Sequence, residues 1–466
     1  MTLVASADTR SAAIEKAPVP PGPRGLPVIG CLGAFLRDPM AFMTKVARRY
    51  GGLARIPLRG NYLYLASDPE VVRELLITHR HRYTKNVRYR HVQALLGQGL
   101  LLAEADVWRR QRVMTQPAYK PEPVDAQVPW MAEMTRDYLA RWQAHAATGA
   151  AIDVEPPFIE LAQRLAGRSL LGEPFAEIAP RFCAAASAAK NAWPAPPRTL
   201  WRAFRPLKRP SPDPFDVAIA ELDRCIYDFI EAHRADGYAG CEVLERLVRD
   251  ARAQQRPFSD QDLRDQIFTL FFAGHETSAT GLCWIHYLLA RHPEVRGKLV
   301  AEVDRVLGGR VPTAAMLHEL KYTEQVVQEC LRLYSPIHAI SRVASEQHTL
   351  AGYRVPAGAT VCVSLFATHR LPGYWPDPDR FDPERFTEEL CAARSRFAYL
   401  PFAAGHRNCI GGGQAMVELK MVVAMVAQRY RLEVAPGQRI EAAPGTTMYP
   451  RHGMKMILHP RTTASA

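Results

Sequence analysis

The stretch PFAAGHRNCIG, residues 401–411, is the most informative part of the 466-residue chain. It sets a single cysteine, Cys409, between glycines, with Arg407 two residues before it and a helix-compatible run after it. A cysteine thiolate needs backbone N–H donors and nearby positive charge to remain ionised. Glycines let the backbone approach a bound group closely, and the start of the following helix adds partial positive charge. The stretch therefore predicts a shallow loop that presents Cys409 as a thiolate.

Length and composition describe a large globular protein. The chain is 48% hydrophobic and 23% charged, which allows a sizeable core. No repeat, composition shift or glycine/serine linker marks a boundary, so we expect a single domain over residues 18–466 after a flexible arm, residues 1–17. The arm is alanine-rich and polar and lacks the roughly 20 apolar residues that cross a bilayer. We therefore expect no membrane anchor before the proline-rich stretch 18–27.

The net charge bears on the kind of binding partner, and the cysteines bear on the cellular compartment. A net charge of +12 would suit nucleic acid, an anionic membrane or an acidic protein. Long Lys/Arg blocks and aromatic–basic interleaving are absent, so we expect no nucleic-acid binding. The nine cysteines are scattered without a CxxC pair, which indicates a reducing, cytoplasmic compartment and argues against a plain thiol or zinc protein.

Apolar periodicity predicts a mostly helical chain with a minor β region. Helices are expected at 38–50, from Ser259 to Arg291, from Thr323 to Tyr334 and from Gln414 to Tyr430. The β segments are expected at 52–65, 341–364 and 445–459, with an irregular coil over 371–400. The helix from Ser259 to Arg291 is long enough that its middle should lie near the core.

A polar segment, residues 273–278 (AGHETS), interrupts the apolar face of that long helix. Ala273 and Thr277 are four residues apart and share a face. A threonine hydroxyl can bond a carbonyl one turn earlier and leave a polar notch, and Glu276 could relay protons. The alternative is a harmless kink with a solvated glutamate.

Two further pairs have ordinary explanations when taken alone. Glu329 and Arg332, three apart on a helix, are typical of a surface ion pair. Trp108 and Arg112 place an N–H donor and a guanidinium on one helical face, which suits an anionic group. A half-buried tryptophan beside a surface arginine is the alternative for that pair.

The spacing Phe402-x-x-Gly405-x-Arg407-x-Cys409-x-Gly411 resembles the heme-binding loop of the cytochrome P-450 family. The segment 273–278 resembles that family's oxygen-activation groove, and Glu329, Arg332 and Arg385 resemble its structural core. The motifs occur in the family's order, and the resemblance covers nearly the whole chain. Ala403 stands where a glycine is frequent and Gln414 where an aromatic residue is frequent.

The resemblance implies a mainly α fold with a minor β region, in which heme b lies between the long central helix and the cysteine loop. Cys409 would be the iron ligand, and Thr277 with Glu276 would deliver protons. The further heme contacts it implies are Phe402, Gly411, Ala273, Trp108, Arg112, Arg342 and Arg407, with Lys85 as an added candidate.

The implied activity is a monooxygenase reaction that uses O₂ to hydroxylate or epoxidise a small apolar substrate, fatty-acid, terpenoid or polyketide-like. The thiolate ligand donates electron density that favours O–O cleavage. By resemblance, the substrate contacts would be the segments 95–102, 193–204, 337–340 and 446–448 together with Phe271 and Ala273, under a lid at 193–215.

Electrons would come from NAD(P)H through a separate ferredoxin or flavodoxin and its reductase. Only 57 residues follow Cys409 and the chain has no glycine-rich dinucleotide fingerprint, so we expect no fused reductase. The docking cations would be Arg109, Arg110, Arg407 and Lys420. We expect a monomer.

Two alternatives keep the same cofactor. One is a peroxide-driven peroxygenase or isomerase, against which the retained Glu276 and Thr277 argue. The other is a heme-binding protein without turnover.

Overall fold

The computed structural model describes residues 14–85, 90–192, 213–253, 255 and 257–461. The expectations for residues 1–13 of the arm, for the segment 193–204 and for nearly all of the lid lie outside the described residues. The chain divides into two compact units. The first comprises described parts of 1–86, 128–155 and 277–466, and the second of 87–127 and 156–276.

Helices make up most of the described chain. In chain order they are α1 (Leu32–Arg37), α2 (Pro39–Tyr50), α3 (Pro69–Arg73), α4 (Arg90–Leu96), α5 (Ala105–Thr115), α6 (Pro121–Ala140), α7 (Trp142–Thr148), α8 (Glu155–Leu171), α9 (Phe175–Asn191), α10 (Pro214–Arg234), α11 (Glu242–Ala253), α12 (Asp260–Arg291), α13 (Pro293–Leu307), α14 (Ala314–Glu319), α15 (Lys321–Leu333), α16 (Leu365–Thr368), α17 (Glu388–Ala393) and α18 (Gly412–Arg429). A π-helical turn spans Glu74–Thr78, and 3-10 turns include Pro383–Phe386 and Gly405–Arg407.

The strands lie in the first unit. They are β1 (Leu53–Leu58), β2 (Asn61–Ala66), β3 (Tyr83–Lys85), β4 (Ile152–Asp153), β5 (Ile340–Ala344), β6 (His348–Leu350), β7 (Tyr353–Val355), β8 (Thr360–Val363), β9 (Tyr430–Val434), β10 (Ala442–Pro444), β11 (Met448–Pro450) and β12 (Lys455–Pro460). The largest sheet has the order β1-β2-β8-β5-β3. Strands β2 and β8 are parallel, and the other neighbours in this sheet are antiparallel.

Most of the predicted elements are present, with shifted bounds. The long helix runs from Asp260 to Arg291, one residue shorter than predicted. A short helix, α1, precedes the first predicted helix. The two are separate because the Asp38 side chain caps the start of α2, where it accepts a hydrogen bond from the Ala41 N–H (3.0 Å). The C-terminal hairpin prediction is wrong in part: β12 pairs with β9 and β4, and a separate pair, β10 and β11, forms upstream.

A buried ion pair holds the segment 371–400, which leads to the cysteine loop. This segment was predicted to be irregular coil, but it contains the short helix α17 and a 3-10 turn. Glu329 and Arg332 are both fully buried and bonded at 2.6 Å and 2.8 Å. Arg332 also donates to the carbonyl of His369 and to the carbonyls of Pro378 and Arg380 in the segment 371–400. The pair is therefore not a surface ion pair. Its hydrogen bonds to the segment before the cysteine loop are those expected for the structural role that the resemblance implies.

His369 connects the same core to the residues just before the loop. Its Nδ1 lies 3.1 Å from the Arg332 carbonyl, and its Nε2 accepts a hydrogen bond from the Leu400 N–H (2.8 Å). Burial lowers the pKa of His369 to about 3, with the Arg332 charge as the next cause. The imidazole is therefore neutral, with its proton on Nδ1, and it fixes the start of the segment 400–411.

Within the described residues, no helix combines the length and the apolar character needed to cross a membrane.

Candidate functional site

The cysteine loop is a tight turn that ends at a helix. The Cys409 N–H donates to the Phe402 carbonyl (2.9 Å), and the Asn408 N–H donates to the Gly405 carbonyl (3.1 Å). Helix α18 begins at Gly412, two residues earlier than predicted, so its N-terminus lies closer to the cysteine in sequence. The Cys409 side chain is exposed, whereas most of the other cysteines are buried. The loop thus offers an accessible sulfur near a helix N-terminus.

Gly405 is required by the backbone of this loop. Its φ is +77°, and a Cβ placed there would lie 2.4 Å from the Leu76 carbonyl oxygen, in the π-helical turn. Ala403 also has a positive φ, 57°, which explains why glycine would suit that position better. A Cβ on Gly412 would approach the Phe402 ring to 3.2 Å. The small residues therefore set the shape of the loop.

Cationic side chains in the first unit are placed beside one another by strand register. Lys85 of β3 lies directly opposite Arg342 of β5, and residues opposite each other in an antiparallel pair share a face. Two like charges in that position favour an anionic group between or above them. The first unit also carries Arg407 in the cysteine loop.

The donor set of this unit fits a thiolate-ligated heme. Cys409 supplies an exposed sulfur, the glycine-rich loop supplies a cradle that a Cβ at Gly405 would disrupt, and Lys85 with Arg342 supplies positive charge for carboxylates.

The second unit carries the other predicted residues. Trp108 and Arg112 lie on α5 and are both half-buried, and the Arg112 Nε donates to Gln116 (3.3 Å). Ala273 is exposed, which fits a small residue that leaves space. Glu276 is 16% exposed, with the Lys190 ammonium 3.9 Å away. That cation is a charged neighbour which the sequence did not reveal.

Helix α12 is continuous through the polar segment, and Thr277, the first residue assigned to the first unit, is half-buried. His275 was not predicted to matter. It is buried, its Nδ1 lies 2.8 Å from the Phe271 carbonyl, and burial lowers its pKa to about 4. His275 is therefore a neutral core residue and not a proton carrier near neutral pH.

Phe271, predicted to contact substrate, is in the protein core. It is 1% exposed and stacks edge-on against Phe182, with ring centroids 4.7 Å apart. The prediction is wrong for this residue, because an apolar helix face in a sequence does not distinguish core from cavity. In the segment 95–102, Leu95, Leu96 and Leu100 are likewise buried, and Leu101 is exposed.

The turn at 446–448 is fastened to helix α12. The Thr280 hydroxyl bonds the Thr447 hydroxyl (3.2 Å), and the Trp284 indole N–H donates to the Met448 carbonyl (2.6 Å). The Met448 N–H donates in turn to the Pro336 carbonyl (2.8 Å), next to the half-buried segment 337–340. Two of the predicted substrate segments, 337–340 and 446–448, are thus held beside helix α12 within the first unit.

Two of the predicted docking cations have other partners. Lys420 is buried and bonds the Leu317 carbonyl (3.1 Å) and Glu324 (2.9 Å), so its assignment to a docking surface is wrong. Arg110 is half-buried, with its guanidinium 4.5 Å from the centre of the Phe258 ring. Arg109 remains on the surface, 72% exposed and 2.6 Å from Asp106.

A buried carboxyl group, Glu418, was also missed. It lies on α18 and hydrogen-bonds the Ser278 hydroxyl of α12. The available signal was a single glutamate in the long apolar run 415–427.

Comparisons with known proteins agree on one family. The family model described as Cytochrome P-450 matches residues 20–458. Two proteins of Streptomyces melanosporofaciens, cyclooctat-9-en-7-ol 5-monooxygenase and cyclooctatin synthase, are 33% and 32% identical to this chain. The alignments cover 89% and 94% of this chain and 90% and 95% of those proteins. Pentalenene oxygenase of Streptomyces avermitilis is 29% identical, over 94% of this chain and 97% of its own.

Solved structures show the same fold. The heme domain of cytochrome P-450DA superposes with a TM-score of 0.84 at 26% identity, covering 96% of this chain and 99% of that one. A cyanobacterial member with retinoic acid bound gives a TM-score of 0.83 at 26% identity, covering 96% and 100%.

Proposed function

Because the chain belongs to the cytochrome P-450 family of heme-thiolate monooxygenases, we propose that it inserts one oxygen atom of O₂ into a cyclic terpenoid. The observation that supports the chemistry is the Cys409 loop, with its exposed sulfur, its glycine cradle and the helix that follows. The observation that supports the substrate class is that three relatives carry names of terpenoid-modifying enzymes. Fatty acids and polyketide-like compounds are the less supported substrates.

In this proposal, the chain's own residues hold the cofactor and manage charge around it. Cys409 would bind the iron as a thiolate, and Phe402 and Gly411 would shape the part of the loop that faces the heme. Lys85, Arg342 and Arg407 would bind the propionate carboxylates, a role that the resemblance also assigns to Trp108 and Arg112. When bound, the heme supplies the activation of O₂ for insertion into a C–H bond.

Protons are the second task of the chain. The Thr277 hydroxyl holds a water or a proton on the helix face that it shares with Ala273, which leaves space because its side chain is a methyl group. Glu276, with Lys190 at 3.9 Å, exchanges protons with solvent at the neighbouring position. Electrons come from a separate ferredoxin or flavodoxin that is reduced by an NAD(P)H-dependent reductase.

Binding of candidate substrates tests the substrate class. The purified ferric protein would be titrated with cyclic terpenoids and, as a comparison, with saturated fatty acids of similar carbon number, and the spin-state change of the heme would be recorded. We expect at least one cyclic terpenoid to shift the spin state at lower concentration than any fatty acid. Fatty acids that bind more tightly than every terpenoid would contradict the proposed class.

Turnover tests the reaction. With a ferredoxin, a reductase and NADPH, the protein should form a product that contains one oxygen atom from ¹⁸O₂, and Cys409→Ala should form none. A reduced carbonyl complex with the spectrum of a histidine-ligated heme would reject the assignment of Cys409. Product formed from hydrogen peroxide, with none formed from O₂ and reductant, would favour the peroxygenase alternative.

A further inference from the structure

A positively charged cleft of about 570 Å³ lies between helix α2 and the residues that follow helix α16. It is lined by four cationic side chains, Lys45, Arg48, Arg49 and Arg370, and by one carboxylate, Asp379. The first three belong to α2, and all five belong to the first unit. Four cations and one carboxylate leave the cleft with a net charge of +3.

The cations on α2 repel one another. Lys45 precedes Arg48 and Arg49 by three and four residues, so the side chains are neighbours on one face of the helix, where like charges are destabilising. Among the ion pairs of the described residues, the one that includes these cations joins Arg48 to Asp379, at 3.8 Å. An anion bound in the cleft would therefore relieve a repulsion that the chain itself does not balance.

Arg370 supplies the buried wall of the cleft. It is 7% exposed, and its guanidinium lies 3.7 Å from the centre of the Phe366 ring. Its carboxylate partner Asp379, at 3.1 Å, is itself 71% exposed and is shared with Arg48. Burial lowers the pKa of Arg370 to about 10, with the charge of Arg332 as the next cause. The wall thus carries a positive charge that a solvated carboxylate only partly balances.

The dimensions of the cleft favour a compact ligand with several negative charges. From Lys45 to Arg49 the helix rises by about 6 Å, a span that suits two adjoining phosphate groups better than an extended acidic peptide. Guanidinium groups bond pairs of phosphate oxygens. At roughly 30 Å³ for each water-sized group, the cleft holds about twice what a diphosphate fills. Ala41 and Phe366 also line it and offer apolar surface for the rest of the ligand.

We propose that this cleft binds an organic diphosphate with an apolar body. The diphosphate oxygens accept hydrogen bonds from Lys45, Arg48 and Arg49, and the charge of Arg370 attracts them from the buried wall. The apolar body packs on the Phe366 ring. Binding is non-covalent, and the inference does not depend on the proposed monooxygenase function.

Calorimetry with matched probes tests the class of ligand. The heme-loaded ferric protein would be titrated with geranyl diphosphate and with inorganic pyrophosphate, at constant ionic strength and without divalent cations. We expect saturable binding of geranyl diphosphate, and about ten-fold weaker binding of pyrophosphate because it lacks an apolar contact of roughly 50 Å². Geraniol, which lacks the diphosphate, should not compete. No saturable binding of geranyl diphosphate at millimolar concentration would overturn the proposal, and so would equal affinities for the two diphosphates.

Variants of α2 test the location of the site. Lys45→Gln and Arg49→Gln each remove a charge-assisted hydrogen bond, so we expect about ten-fold weaker binding of geranyl diphosphate. Both side chains are exposed, and losing either one reduces repulsion, so the fold should persist. Arg49→Lys keeps the charge and should recover part of the affinity.

Arg37→Gln is the matched control, since Arg37 is an exposed arginine at the end of α1 that does not line the cleft. It should leave the affinity unchanged. Equal losses in Arg37→Gln and Arg49→Gln would show an effect of net charge alone and would refute the site. Slower reduction by a ferredoxin in Lys45→Gln, with unchanged affinity for geranyl diphosphate, would assign the cleft to an acidic protein instead.

Discussion

At the scale of single residues, Gly405 is a position of the cysteine loop that has no room for a side chain. Its positive φ and the Leu76 carbonyl, 2.4 Å from where a Cβ would lie, leave no room for a side chain. We expect Gly405→Ala to displace the cysteine loop, lower the amount of bound heme several-fold and weaken the carbonyl-complex spectrum.

Gly413 offers the matched control for that change. No atom lies within 4 Å of a Cβ built there, and the residue is exposed in the first turn of α18. Gly413→Ala should keep the heme content of the parent protein. Full heme content in both variants would show that the backbone at Gly405 is not needed for binding.

Glu418 also gives the folding free energy a pH dependence. Its pKa is about 8 in the folded protein, against 4.5 for an ordinary glutamate side chain, so the folded state binds more protons between these values. The stabilisation is fully present below the lower value and is lost as the pH rises to the upper one, by at most about 1.4 kcal/mol per pH unit.

Urea unfolding of the parent protein and of Glu418→Gln, near pH 5 and near pH 8, measures this effect. The glutamine variant lacks the titration, so the difference in unfolding free energy should move in its favour as the pH rises. Parallel pH profiles would mean that Glu418 is ionised in both states.

The sequence predicted a site residue correctly when the neighbours of that residue lie close to it in the chain. Cys409, Gly405 and Arg407 lie in one short loop, and their spacing identified them. Glu418 and Lys420 were missed or misassigned because their partners, Ser278 and Glu324, are about 100 or more residues away. A charged residue in an apolar run does not reveal whether a distant partner neutralises it.

At the scale of elements, the Glu329–Arg332 pair fastens helix α15 to the coil over 371–400. Because both groups are fully buried, Glu329→Gln leaves Arg332 with an uncompensated charge, and we expect a loss of about 3–5 kcal/mol in unfolding free energy. The Glu70–Arg73 pair has the same spacing but exposed side chains.

Chemical unfolding of Glu329→Gln, compared with that of Glu70→Gln, distinguishes the effect of burial from the effect of ion pairing alone. Glu70→Gln, which removes the exposed pair, should lower the unfolding free energy by less than about 1 kcal/mol. Equal losses in the two variants would show that burial does not decide the strength of this pair.

The sequence predicted which helices and strands form better than it predicted which strands pair with each other. The 3.6-residue periodicity located α12, and the mainly α fold is confirmed by the solved P-450 structures. The pairing of β12 with β9 and β4 was not predictable, because strand partners are set by tertiary packing and not by the strand's own sequence. The glycines at the start of α18 also hid its first turn, since they weaken helix propensity.

At the scale of the whole molecule, the positive net charge of +12 favours an acidic electron donor. Arg109 is the exposed candidate on α5, whereas Arg110 packs on Phe258. We expect Arg109→Gln to raise the apparent KM for a ferredoxin a few-fold at low salt, with the difference shrinking as ionic strength rises.

Steady-state kinetics at several salt concentrations measures this effect. Arg439→Gln, which removes another exposed arginine, is the control and should leave the KM unchanged. Salt-independent kinetics in the parent protein, or equal effects of the two changes, would argue against a docking role for Arg109.

The strand order of the largest sheet also limits when this sheet can be completed during synthesis. Strand β2 pairs in parallel with β8, whose residues follow it by about 300 positions. At roughly 5–20 residues per second, a ribosome needs about 15–60 s to deliver that partner. Throughout this interval the edge of β2 that β8 later covers is open, and it is a template for pairing with other chains. Yield in a foreign host should therefore depend on how well nascent chains are shielded during the middle of translation.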